Sequence, residues 1–227
     1  MTRHDPLVYL PRARVQEFKK DSMIYEPNRP ADHLYLVISG RVRIYYCAYD
    51  GTQTLLRITS TEQFFGEACL MTGTLSEEHA IAMETTQVMA WTPAEIEDRI
   101  QRDPMLGLAL IEYCASHNLI LQERVAAMAA LKTGTRVALS LIQLADSMGK
   151  ATPEGTIRIR GLTHQSIADY AGTSREIVTS EMNRLRRAGH LAYSRGLLDV
   201  SRAALLELLR QEQFKGDDAP QTLAAKQ

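Results

Sequence analysis

The chain has 227 residues, 45% of them hydrophobic and 23% charged, with a formal net charge of −1. This composition is that of a folded globular chain and excludes a low-complexity or highly charged disordered one. No apolar run approaches the roughly 18–20 residues of a membrane helix, and the opening MTRHDPLVYLPRARVQEF lacks the apolar core of a signal peptide, so a cytoplasmic location without a membrane partner is expected. Cys47, Cys69 and Cys114 are odd in number and widely spaced. They suggest neither a disulfide framework nor a zinc finger, and three buried thiols are expected.

The first half is punctuated like a β-domain. Met23–Tyr25, Leu34–Ser39, Arg41–Tyr49, Thr52–Ile58, Gln63–Phe65, His79–Met83 and Thr86–Trp91 are short runs rich in Val, Ile, Tyr, Thr and Leu. Pro27-Asn28, Ser39-Gly40, Asp50-Gly51 and Thr72-Gly73 separate them. Asp50-Gly51 is a strong hairpin signal because Gly adopts the positive φ of a tight turn. In the run after Gly40, Val42, Ile44, Tyr46 and Ala48 alternate with Arg41, Arg43, Tyr45 and Cys47, which predicts a drier face on the first set. Strands at this spacing suggest a sandwich or barrel.

The period then changes. Thr92-Pro93-Ala94-Glu95 has the pattern of a capping box with Pro at the first helical position. Asp103-Pro104 opens a second helix that only Gly107 interrupts before Leu131, about 40 Å at 1.5 Å per residue. Ile111, Cys114, Asn118, Leu121, Val125 and Met128 recur at alternating spacings of three and four, a coiled-coil seam with one polar position. The simpler alternative packs this helix on its own β-domain; its length favours a dimer seam. Thr133-Gly134-Thr135 is expected to close the helix, with Gly as its left-handed C-terminal residue and Thr as the next cap. Arg136–Met148 reads as an amphipathic helix with Val137, Leu141, Leu144 and Met148 on one side. A turn-rich connector, a strand at Thr156–Arg160, a hairpin around Ser194-Arg195-Gly196 and a helix over Ser201–Phe214 follow. Residues 215–227 read as a disordered tail.

Between the strand and the hairpin lies LTHQSIADYAGTSREIVTSEMNRLRRAGHL. Thr163 can cap a helix running to Tyr170, Ala168 is small where helices would cross, and Gly172 supplies a turn. Ser174–Arg187 forms a second helix with Val178, Met182 and Leu185 facing inward. A small residue, Gly four later and an apolar residue six after that is helix-turn-helix spacing, and the hairpin is placed as a wing. The charge agrees: residues 134–215 carry 12 Lys and Arg against 8 acidic residues, residues 1–133 only 13 against 17. Double-stranded DNA is therefore the expected partner. Arg175, Glu176, Thr179 and Ser180 face outward early on the second helix; Arg can take both acceptors of guanine and Glu the cytosine amino group. Arg184, Arg186 and Arg187 come later, where phosphates are the expected partners. Thr163, Gln165, Thr173 and Ser174 complete the candidate contact set.

Residues from about 20 to 212 resemble the CRP/FNR family of bacterial transcription regulators. Leu34-Tyr35-Leu36-Val37-Ile38-Ser39-Gly40-Arg41-Val42 resembles its β-roll entry, and Phe64-Phe65-Gly66-Glu67-Ala68-Cys69-Leu70 its phosphate-binding cassette. Thr173-Ser174-Arg175-Glu176-Ile177-Val178, the most specific piece, is similar to the start of its recognition helix. The resemblance implies an α+β architecture: an N-terminal jelly-roll-like double-stranded β-roll over residues 1–103, a dimerisation helix over 104–133 and a winged helix-turn-helix over 134–214. It also implies a cytoplasmic homodimer on a two-fold-related DNA site, with RNA polymerase as a further partner.

The chain departs from the family at the effector pocket, whose candidates are Gly66, Glu67, Ala68, Glu78, His79, Leu121 and Gln122. In cyclic-AMP-binding members the cassette ends in Arg-Ser, and the Arg neutralises the cyclic phosphate; the aligned pair here is Glu78-His79. The helix positions that meet the adenine there, usually small hydroxyl residues, are Leu121 and Gln122. No binding of cyclic AMP in the usual manner is expected. No N-terminal cysteine cluster for iron–sulfur is present, and His79, His117 and Cys69 are haem candidates by type only, so no cofactor is identified. The effector is an unknown small molecule or none. Ser180 stands where cyclic-AMP-binding members carry a second base-reading Arg. Two alternatives are a metal-dependent cupin-like enzyme and a nucleotide-binding module whose helix-turn-helix docks protein. The six histidines form no HxH or HxxxH pair, and neither a nucleophile elbow nor a Gly-rich phosphate loop occurs, so no enzyme activity is expected.

Overall fold

The computed structural model describes residues 5–71, 75–194 and 196–217, with side chains described as far as Gln211. These residues form two compact units divided after Ala129. The expected turn at Thr72-Gly73, Arg195 of the wing and residues 218–227 of the expected tail lie outside the described residues.

The first unit carries β1 (Val15–Phe18), β2 (Met23–Tyr25), β3 (Arg29–Pro30), β4 (Leu34–Ser39), β5 (Val42–Cys47), β6 (Gln53–Thr59), β7 (Phe64–Phe65), β8 (Leu75–Ser76), β9 (Glu78–Ala82) and β10 (Thr86–Trp91). Helices α1 (Pro93–Arg102) and α2 (Met105–Ala130) follow. The strands form two antiparallel sheets, ordered β1-β10-β4-β7 and β2-β9-β5-β6, with β3 paired to β8. β4 is buried on both faces, which is why its sequence is a continuous apolar run rather than an alternation. Tyr35 and Val37 meet Val42, Ile44, Phe65, Ala80 and Val88 inside the roll. Leu34 and Leu36 point the other way, onto Trp91, Ile96, Leu106, Leu110 and Tyr113. Phe64 and Phe65 split between the two cores in the same way.

At the Asp50-Gly51 hairpin Gly51 has φ +83° and the Thr52 N–H reaches Asp50 Oδ1 at 2.9 Å. The drier face expected on β5 does not continue past Ile44: Tyr45 is buried and Tyr46 only half-buried. The register of β5 against β6 shifts between Ile44 and Tyr45. The extra residue is Leu56 on β6, so the bulge re-aims β6, while β5 stays in unbroken register with β9.

The capping box forms as read. Glu95 accepts from the Thr92 N–H at 2.7 Å while the Glu95 N–H reaches Thr92 Oγ1 at 3.3 Å. The 26-residue α2 is apolar on two sides. Leu106, Ala109, Leu110 and Tyr113 are buried against the roll, whereas Ile111 is 65% exposed and Val125 67%. Leu121, Met128 and the polar Asn118 are exposed with them, and Cys114 is half-buried. No helix among the described residues is long and apolar enough to cross a membrane.

The second unit carries α3 (Thr133–Met148), β11 (Lys150–Ala151), β12 (Ile157–Arg160), α4 (His164–Ala171), α5 (Arg175–Arg187), β13 (Leu191–Ser194), β14 (Leu197–Val200) and α6 (Arg202–Asp217). The sheet runs β11-β12-β14-β13, all antiparallel. Val137, Leu141, Leu144, Ile167, Val178, Met182, Leu185, Leu198 and Leu205 are among its buried side chains. Gly134 is not a helix terminator: it lies in the first turn of α3, where a Cβ would sit 3.0 Å from Glu181 Oε2. Its small size serves close packing, and Thr135 is buried rather than capping. The helix α6 continues to Asp217, three residues into the segment expected to be disordered. Once nucleated, a helix extends at little cost until a strong breaker intervenes, and Gly216 alone does not stop it.

Candidate functional site

The second unit builds a helix-turn-helix from short-range interactions. Thr163 Oγ1 accepts the Ser166 N–H at 3.0 Å and starts α4. Gly172, at φ +63°, ends it and returns its N–H to the Ala168 carbonyl. Ser174 Oγ accepts the Ile177 N–H at 3.4 Å and starts α5. Ala168, with no exposed surface, sits where the two helices pack. The wing strands are held in register by Arg158, whose guanidinium donates to both Asp199 oxygens at 2.7 and 2.8 Å across β12 and β14.

Val178, Met182 and Leu185 are buried, which turns the opposite face of α5 to solvent. Arg175, Glu176, Ser180, Arg184 and Arg187 are exposed there. The Glu176 carboxyl is held below its usual range by its own backbone N–H, then by the Ser174 hydroxyl, with Arg175 adding to both. It stays ionised and can only accept hydrogen bonds, which suits an exocyclic amino donor. Arg184 donates to Glu181 at 2.7 Å, and Arg186 lies 5.0 Å above the Tyr193 ring. Of the exposed contact candidates, Gln165 is bonded to Asp169 at 2.7 Å, Thr163 and Ser174 act as caps, and Thr173 is half-buried, its N–H on the Ala168 carbonyl. Thr179 is half-buried and bonded to His164 at 2.9 Å.

The cassette of the first unit is closed by its own charges. Arg57 on β6 donates to both oxygens of Glu67, at 2.7 and 2.5 Å, each side chain 21% exposed. Burial works against the Arg57 guanidinium, but Glu67 prevails and keeps it firmly protonated. Glu78 accepts from the Tyr25 hydroxyl at 3.4 Å. Burial first, and the Glu67 carboxylate with it, push Glu78 above the usual carboxylate range, with Arg57 opposing. Tyr25, Tyr35, Gly66, Ala68 and Ser76 line a cavity of only about 20 Å³. Gly66 has φ +83°, and a Cβ there would meet the His33 carbonyl at 2.7 Å. Gly66→Ala is expected to destabilise the unit by about 1–3 kcal/mol, measured by denaturant unfolding with the buried Trp91 as the fluorophore.

Three further residues expected at the pocket are placed as follows. His79 is buried and stacked on Tyr45 at 5.2 Å. Leu121 and Gln122 are exposed on α2. Consecutive positions on a helix point about 100° apart, and the inward one here is Arg124. It is buried and donates to the Leu55 and Leu56 carbonyls on β6. Arg57, Tyr25 and Arg124 were not singled out in the sequence; the signal for Arg57 was a lone charge inside the apolar run Leu55-Leu56-Arg57-Ile58. A second tie joins α2 to the cassette. The Tyr113 hydroxyl accepts the Phe64 N–H and donates to the Phe64 carbonyl, both at 2.8 Å. Among the described residues no cluster of three or more His, Cys, Asp or Glu is placed to hold a metal.

Comparison with known proteins matches residues 15–103 to the cyclic nucleotide-binding domain and residues 135–209 to the Crp-like helix-turn-helix domain. The chain is 30% identical over 176 residues to a CRP-like cAMP-activated global transcriptional regulator of Mycobacterium tuberculosis, covering 73% of this chain and 74% of that one. It is 27% identical over 191 residues to the global nitrogen regulator of Synechocystis, covering 82% and 84%. Among solved structures, FixK2 from Bradyrhizobium japonicum shares the fold with a TM-score of 0.77 at 22% identity, over 87% of this chain and 98% of that one. With a cyclic-nucleotide-binding-type roll, a helix-turn-helix and these relatives, the chain belongs to the CRP/FNR family of transcription regulators.

Proposed function

We propose that the protein is a homodimer that binds an inverted-repeat DNA site sequence-specifically, and that its cassette does not take cyclic AMP in the usual manner. One observation carries the DNA reading: Arg175 and the ionised Glu176 stand exposed on the first turn of a helix whose other face is buried. That is the part of a recognition helix that meets base edges in the major groove. The half-site then keeps a G and a C for these two residues and lacks one G contact at Ser180. RNA polymerase is the partner through which such a regulator acts. Selection of bound duplexes from a random pool, followed by titration in rising salt, tests this reading. A symmetric pair of half-sites and a steep fall in affinity with salt are expected; indifference to duplexes at low salt would refute it.

The effector reading rests on the Arg57–Glu67 pair. A cyclic phosphate would have to draw Arg57 away from a carboxylate that it already holds through two bonds, in front of a second carboxyl at Glu78. Each such charge term is worth about 1–4 kcal/mol at 4 Å, depending on the local dielectric. The effector is thus a molecule of other chemistry, or there is none. Calorimetric titration with cyclic AMP is expected to show no heat at micromolar concentration. A micromolar affinity that Glu67→Ala abolishes would overturn this.

A further inference from the structure

We infer that His164 is a positioning residue for base reading: it holds Thr179, and Thr179 itself reads no base. The inference rests on the DNA-reading role proposed above. His164 opens α4 and lies between α5 and the wing. Its Nδ1 is 2.9 Å from Thr179 Oγ1, and its ring meets the Tyr193 ring edge-on at 5.5 Å and 76°. Thr179 Oγ1 in turn donates to the Arg175 carbonyl at 2.8 Å. A hydroxyl has one proton, and here it points at that carbonyl. The His164 contact therefore runs the other way, with Nδ1–H donating to Thr179.

Two consequences follow from this donor count. The hydroxyl of Thr179 has its proton and one of its two acceptor sites engaged within the protein, so it has no proton to give a base and is half-buried besides. The bond also fastens the turn that bears Arg175 and Glu176 to α4, while Tyr193 ties the same imidazole to the wing. The Tyr193 hydroxyl donates to Asn183 on α5 at 2.9 Å, closing a ring of contacts. The charged groups facing His164 are Arg175 on α5 and, across the Tyr193 ring, Arg186. Neutral and protonated imidazole both keep a proton on Nδ1, so the tie survives acidification. A bidentate Arg contact depends on the rotation of its helix turn in a way that a phosphate contact does not.

The test compares the full-length chain with His164→Ala, His164→Asn and Thr179→Val, each on a selected duplex and on a scrambled one. His164→Ala is expected to lose roughly three- to tenfold on the selected duplex, the worth of one neutral hydrogen bond, and nothing on the scrambled one. The unchanged scrambled affinity also shows that the variant is folded. The Asn side chain carries an N–H near the position of Nδ1 and is expected to restore selectivity. Thr179→Val is expected to match His164→Ala, with no further loss in the double variant. The wild-type selectivity ratio is expected to stay flat between pH 8 and about 6, since Nδ1–H donates in both protonation states. Equal loss on both duplexes, failure of the Asn variant, or a changed base preference in Thr179→Val overturns the inference. Wild-type protein that cannot tell the two duplexes apart overturns the DNA reading itself, and this inference with it.

Discussion

Arg175→Ala is expected to weaken binding to the selected duplex by about ten- to a hundredfold and to relax the preference at one base pair per half-site. The side chain is exposed at the first turn of α5, where no acidic side chain among the described residues forms an ion pair with it, and its five donors can meet both acceptors of a guanine edge. Removing it leaves the fold alone, because the inward face of α5 is made by Val178, Met182 and Leu185. Arg187→Ala is the matched control. It lies in the last turn, away from the base-reading end, and its loss is expected to weaken selected and scrambled duplexes alike and to reduce the salt slope by about one. Arg184→Ala is expected to do less, since Glu181 already holds that guanidinium at 2.7 Å. Measurement is by fluorescence anisotropy at several salt concentrations. If Arg175→Ala and Arg187→Ala behave alike on both duplexes, the recognition helix reads no base at position 175.

Ile111→Glu combined with Val125→Glu is expected to convert the proposed dimer to monomers and to lower affinity for the selected duplex by at least about a hundredfold. The two side chains are 65% and 67% exposed in the single chain and form, with Leu121 and Met128, one apolar stripe along α2. Covering such a stripe contributes about 1.5–3 kcal/mol for each large aliphatic side chain, counted twice under two-fold symmetry. Asn118, exposed in the middle of the stripe, is the polar position expected to fix register in such a seam. The DNA term follows from valency: two linked recognition helices bind with an effective concentration that separate monomers lack. Because neither side chain belongs to a core, the double variant is expected to stay folded and cooperative by Trp91 fluorescence, losing only the share of stability that association supplies. Sedimentation equilibrium decides the matter. A wild-type chain that sediments as a monomer, or a double variant that remains dimeric, removes α2 as the seam.

The features that could be read from the sequence are those whose hydrogen bonds span a few residues. The Thr92–Glu95 capping box, the Thr163 and Ser174 caps, the Gly172 turn and the Asp50-Gly51 hairpin each close within three to five positions, and each appears as written. The inward face of α5 was legible for the same reason, since helical period alone decides which side Val178, Met182 and Leu185 occupy. The sequence by itself thus determined the helix-turn-helix, its turn and its place in the CRP/FNR family. Only the tertiary structure decided the rest. The bulge at Leu56 of β6 opposite Ile44 and Tyr45, the glycine at 134 spared for Glu181, the Arg57–Glu67 pair in the cassette and the turn of α2 that sends Arg124 inward all join residues at least 10 positions apart, or strands in a particular register. Local period and turn chemistry carry no information about which distant side chain will be opposite, and in the cassette the charge opposite Glu67 is Arg57, ten positions away on β6.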